Sequence, residues 1–204
     1  DSLGRASQPL QIVCVGTLYE VKGHTFLIDA CDNLRRRGVP LHRVLGATRD
    51  HCESGLAVGL YDYTRDLLRA IERYLPEGYK RVKIKICPGH DVELVRAVRQ
   101  EFGDIPLMTD ANASYTLADI EVYKQLDDFW LLMFEQPLAG GALEDSATLQ
   151  RQLRTPICLD ESLETLGDLE RAAALGSFRI ANIKIQRVGG LRNALRIYGR
   201  ARNL

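Results

Sequence analysis

Val82-Lys83-Ile84-Lys85-Ile86 is the stretch on which the fold turns. Strand side chains alternate between faces, so Val82, Ile84 and Ile86 share one face and Lys83 and Lys85 share the other. Four further apolar runs also end in charge: Pro106–Asp110, Leu131–Glu135, Pro156–Asp160 and Ile180–Lys184. From Lys85 the steps to Asp110, Glu135, Asp160 and Lys184 are 25, 25, 25 and 24 residues. A step of that size holds one strand, one helix and two short loops. Such a beat predicts an α/β fold, either a β/α barrel or a doubly wound sheet. These folds keep functional groups at the C-terminal ends of their strands. The series Lys, Asp, Glu, Asp, Lys therefore reads as a site.

In a barrel the outer face of each strand packs on helices and must be apolar, so the lysines point inward. The same alternation pairs Asp110 with Met108, Glu135 with Met133, Asp160 with Cys158 and Lys184 with Asn182 on the inner face. Charges enclosed in a barrel mouth are costly unless paired or bound to metal. Three converging carboxylates make Asp110, Glu135 and Asp160 candidate ligands. An all-oxygen set suits Mg²⁺, with Mn²⁺ as the alternative. Histidine and thiolate are missing from these positions, which speaks against zinc.

Acidic and basic residues balance at 27 each, so no general attraction to nucleic acid or anionic membrane is expected. The longest apolar run, Phe129–Phe134, is too short for a bilayer. Five cysteines without a CxxC pair read as free thiols in a reducing, cytoplasmic setting, with Cys14, Cys87 and Cys158 in or beside strand-like segments.

Residues 1–8 are polar and read as a disordered lead. Gln11–Gly16 reads as a strand and Thr25–Arg37 as an amphipathic helix stopped by Gly38. A strand is expected near Gly55–Leu60, then a helix capped by Asp62 and running to Leu75. Asp91 caps the next helix, Thr116 and Asp119 form a capping box for another, and helices near 144–153, up to Gly176 and after Gly189-Gly190 complete the pattern.

From about Val39 to Leu204 the chain resembles the barrel of enolase-superfamily enzymes of the muconate-lactonizing subgroup. It is most similar to o-succinylbenzoate synthases and N-acylamino acid racemases. The likeness rests on Leu45-Gly46-Ala47-Thr48-Arg49-Asp50, Lys83-Ile84-Lys85, Asp110-Ala111-Asn112, Glu135-Gln136-Pro137-Leu138, Leu159-Asp160-Glu161-Ser162 and Lys184-Ile185-Gln186-Arg187-Val188-Gly189-Gly190. It implies that Asp110, Glu135 and Asp160 hold the metal. It implies that Lys85 takes a proton beside the carboxylate of a small substrate, while Lys184 faces it from the other side. Lys83 is expected to support Lys85 as a nearby like charge that disfavours its protonation. The ene-diolate that results either loses a hydroxyl or regains a proton, giving a lyase or a racemase of menaquinone-type or amino-acid metabolism.

The family's barrel has eight strands, and the beat here gives about six. The resemblance thus implies an incomplete (β/α) barrel over residues 41–204. Two open edges, near Gly55–Leu60 and Arg179–Lys184, lead to the expectation of self-association and of activity weakened by truncation. Residues 9–40 resemble instead a βα piece of a retaining glycosyltransferase with two Rossmann-like domains, through Val15-Gly16-Thr17-Leu18-Tyr19-Glu20-Val21-Lys22-Gly23-His24. Thr17 stands where that family commonly has an arginine. Three alternatives follow: a non-catalytic fragment, a sugar-nucleotide-dependent remnant, and a Schiff-base aldolase using Lys184, which would leave three carboxylates idle.

Overall fold

The structure, a computed structural model, describes residues 24–44, 46 and 52–204. The chain divides into two compact units, Asp1–Thr48 and Arg49–Leu204. Within the first, α1 (His24–Arg36) closes on Gly38, whose φ of 64° is the left-handed turn that lets the helix stop. A short α2 (Leu41–Val44) follows. The expected strand Gln11–Gly16 and the glycosyltransferase-like motif up to Gly23 lie outside the described residues.

The second unit carries six strands: β1 (Leu56–Val58), β2 (Val82–Lys85), β3 (Leu107–Asp110), β4 (Phe134–Glu135), β5 (Ile157–Leu159) and β6 (Ile180–Ala181). All pairings are parallel and the spatial order is the chain order, β1 to β6. A doubly wound sheet reverses direction at a switch point. A sheet that adds each new strand on the same side is wound as a barrel wall. Among the described residues β1 and β6 are each paired on one side only.

Helices α3 (Thr64–Tyr74), α4 (Val92–Phe102), α5 (Ile120–Asp127), α6 (Leu143–Gln150) and α7 (Leu166–Leu175) connect the strands, and α8 (Leu191–Ala201) follows β6. Outward strand residues Val82, Ile84, Leu107, Phe134, Ile157 and Leu159 are at most 1% exposed, beside helix residues Leu67, Ile71, Val95, Val98, Tyr123 and Leu169. Each such side chain withdrawn from water contributes about 1.5–3 kcal/mol. Thr109 breaks the apolar rule on this face, and its hydroxyl finds no partner among the described residues.

The caps follow the sequence in part. The Asp91 carboxylate accepts from the Val92 N–H at 2.6 Å, and Thr165 and Asp168 form a reciprocal box that opens α7. The Thr116–Asp119 box forms, but it opens a 3₁₀ turn (Leu117–Asp119) that runs into α5. Asp62 is not a cap: the backbone at Tyr63 is extended (φ −125°, ψ 131°), so α3 starts after Tyr63 and without a side-chain cap. The fifth run is a strand only at Ile180–Ala181. Its neighbour β5 ends at Leu159, and beyond Asn182, whose N–H still reaches the Leu159 carbonyl, the chain turns: the Lys184 carbonyl accepts from the N–H groups of Arg187 and Val188.

Candidate active site

The strand registers bring the charged residues into one row. Lys85 pairs with Asp110 across β2–β3, and Asp110 with Glu135 across β3–β4. Asp160 follows the last residue of β5, and Lys184 lies beyond β6 in the turn just described. Lys83 and Lys85 are half-buried while Val82 and Ile84 are buried, as alternation requires.

Asp110, Glu135 and Asp160 are 3%, 2% and 0% exposed, so each charge needs a partner. The Lys83 ammonium bridges two of them, at 2.9 Å from Asp110 Oδ2 and 3.0 Å from Glu135 Oε2. Burial works to lower the Lys83 pKa, but the bonds to Asp110 and Glu135 together outweigh it and the value ends above that of an ordinary lysine. Lys83 thus bridges the carboxylates that end β3 and β4. Glu135 Oε1 accepts from Asn182 Nδ2 at 2.9 Å, and Asp110 Oδ1 from the Asn112 N–H at 3.1 Å. Asp160 is held by Lys184 Nζ at 2.6 Å on Oδ2 and by the Arg187 guanidinium on Oδ1.

Lys85 donates to Asn112 Oδ1, and Asn112 Nδ2 donates to Glu161 Oε1 at 3.1 Å. Glu161 turns the asparagine amide so that its oxygen faces Lys85. The other Glu161 oxygen is buried without a partner among the described residues. Beneath the row, burial first and then the charges of Glu135 and Asp160 push the Cys158 thiol up to about 12. It stays protonated at neutral pH and is a neutral floor.

The three carboxylates fit a hard divalent cation in kind: oxygen donors only, buried, on successive strands. As they stand they are neutralised by Lys83, Lys184 and Arg187. Among the described residues no three His, Cys, Asp or Glu side chains are gathered closely enough to hold an ion. The sequence placed Lys83, Lys85, Asp110, Glu135, Asp160 and Lys184 at this end of the sheet. It assigned no role to Arg187, Asn112, Asn182, Gln136 or Glu161. Alternation had put Asn182 on the inner face; the others are turn residues, for which no period exists.

Residues 66–204 match the family described as enolase C-terminal domain-like. Over 164 residues the chain is 53% identical to an o-succinylbenzoate synthase of Geobacillus kaustophilus, covering 80% of this chain and 44% of that protein. It is 46% identical over 164 residues to an N-succinylamino acid racemase of Thermus thermophilus, with the same coverage, 80% and 44%. A dipeptide epimerase from Cytophaga hutchinsonii, solved with Mg and a dipeptide, superposes with a TM-score of 0.75 at 26% identity, over 80% of this chain and 46% of that one. The chain thus spans about half the length of the curated relatives it matches. With six parallel strands wound in chain order, acids and lysines at their C-terminal ends, and a family match over more than half its length, the chain belongs to the enolase C-terminal domain-like family.

Proposed function

We propose that this domain serves a Mg²⁺-dependent lyase of the o-succinylbenzoate synthase type, acting on a small carboxylate whose α-proton it removes. The observation that carries the proposal is one row of strand ends: Lys85, then buried Asp110, Glu135 and Asp160, then Lys184. Asp110, Glu135 and Asp160 would hold the cation, and Mn²⁺ would serve in its place. The cation would supply positive charge at the substrate carboxylate, where negative charge grows as the proton leaves.

Lys85 is the base that takes the α-proton, and Asn112 keeps its ammonium aimed between turns of the reaction. Lys184 stands at the far end of the row, on Asp160. It balances charge while the hydroxyl leaves as water with the proton that Lys85 has taken, and it can return a proton to the α-carbon. That second ability favours racemisation of an N-acylamino acid as the other reaction, supported by the likeness to an N-succinylamino acid racemase.

The test is hydrogen–deuterium exchange at the α-carbon of an N-succinylamino acid, followed by NMR with Mg²⁺ present. Exchange should depend on the metal, and in Lys85→Ala it should vanish for the one enantiomer whose α-hydrogen faces Lys85. Exchange of both enantiomers that survives Lys85→Ala, or exchange that ignores chelation, would overturn the assignment.

A further inference from the structure

Gln136 follows Glu135 directly. It is fully buried, and its φ of 39° lies in the left-handed region that side chains other than glycine avoid. Its backbone ties three strand ends together. The Gln136 N–H donates to the Cys158 carbonyl at 2.8 Å, and its carbonyl accepts from the Ala113 N–H at 2.9 Å. Its side chain uses every hydrogen-bonding position it has. Oε1 accepts from the N–H groups of Asp160 at 2.8 Å and Ser162 at 3.2 Å. Nε2 donates to the Leu138 carbonyl at 2.8 Å and to Ser162 Oγ at 2.7 Å.

Strand β5 ends at Leu159, so the Asp160 N–H has left the sheet ladder. A buried N–H must find another acceptor, and the Gln136 amide oxygen is that acceptor. We infer that Gln136 is a positioning residue: through the N–H groups of Asp160 and Ser162 it sets where the Asp160 carboxylate stands relative to Glu135. This rests on the metal-dependent role proposed for Asp160. A glutamate could keep both accepted bonds but not the two donated ones. A methionine of similar shape keeps none.

The test uses the full chain, with amide hydrogen exchange by NMR and Mn²⁺ titration by electron paramagnetic resonance. Gln136→Met should speed exchange at Asp160 and Ser162 about tenfold or more, the equivalent of one net hydrogen bond. Exchange at Ile84 and Ile157, which lie in the cooperative core and open with global unfolding, reports the change in overall stability, and the rise at Asp160 and Ser162 should exceed it. Mn²⁺ affinity should fall about tenfold, as for a ligand whose support is lost. Ser162→Ala, which removes an acceptor of Gln136 Nε2 but neither bond to Oε1, should leave the Asp160 and Ser162 amides protected. Unchanged exchange at those two amides in Gln136→Met, an equal rise across the core, or lost protection in Ser162→Ala would overturn the inference. So would a failure of Gln136→Met to fold, which would make Gln136 a residue of the fold alone. The metal arm separates the two ideas. A parent chain that takes up no Mn²⁺ overturns the role given to Asp160, while a parent and a Gln136→Met variant that bind it equally overturn the role of Gln136 alone.

Discussion

Replacing Lys83 by methionine removes a cation shared by two buried carboxylates. Asp110 and Glu135 side chains are 4% and 3% exposed, and the Lys83 side chain is 24% exposed. Removing one member of a buried ion pair costs about 3–5 kcal/mol, because the remaining charge is left uncompensated. Here the low end applies. Lys83 is partly in water, and each acid keeps one other donor, the Asn112 N–H or the Asn182 amide. A loss of about 3 kcal/mol lowers the folding constant about 150-fold at 25 °C. Urea unfolding followed by circular dichroism, with chelator present and at pH 7, measures it. The pH dependence has a definite sign. The folded Lys83 pKa is raised, so its contribution is fully present below the unfolded value near 10.5 and is lost as pH rises through the higher folded value. Parent and variant should therefore converge in strong alkali. A deficit below about 1 kcal/mol at pH 7, the size of a surface pair, would refute the shared-counter-ion role.

Asp127 accepts from the N–H groups of Arg154 at 3.0 Å and Thr155 at 2.7 Å, so Asp127→Ala should cost about 2–4 kcal/mol in urea unfolding by leaving both without a partner. Burial works to raise the Asp127 pKa, but these bonds outweigh it and leave it lowered; its contribution is therefore present above the ordinary carboxylate value of about 4 and fades as the pH drops through the folded value. Arg99 donates to the carbonyls of Phe129, Gly103, Ile105 and Trp130, and Arg99→Lys, which keeps the charge but not the fork, should lower stability by about 1.5–3 kcal/mol. In a timed iodoacetamide reaction at pH 8 read by mass spectrometry, exposed Cys52 should be labelled well before Cys31 and Cys158, which are buried; comparable labelling of Cys158 would contradict its place beneath the carboxylate row.

By itself the sequence determined the element beat, the inner and outer faces, and which charged residues end the strands. These are local matters: a period of two along each strand decides which side chains share a face, and a repeat of about 25 residues leaves room for one helix between strands. It left barrel and doubly wound sheet open on spacing alone, because a βα step has the same length in both. Only the strand order β1 to β6 chose between them, and strand order is a relation between segments far apart in the chain. The same holds inside the site. Alternation put Lys83 on the inner face, but its position between Asp110 and Glu135 depends on the register of three strands. Arg187 on Asp160, Asn112 between Lys85 and Glu161, and Gln136 beneath Asp160 come from loops. A loop has no period to read. Its side chains are placed by what the neighbouring strand ends leave unpaired, and that is set when the sheet assembles.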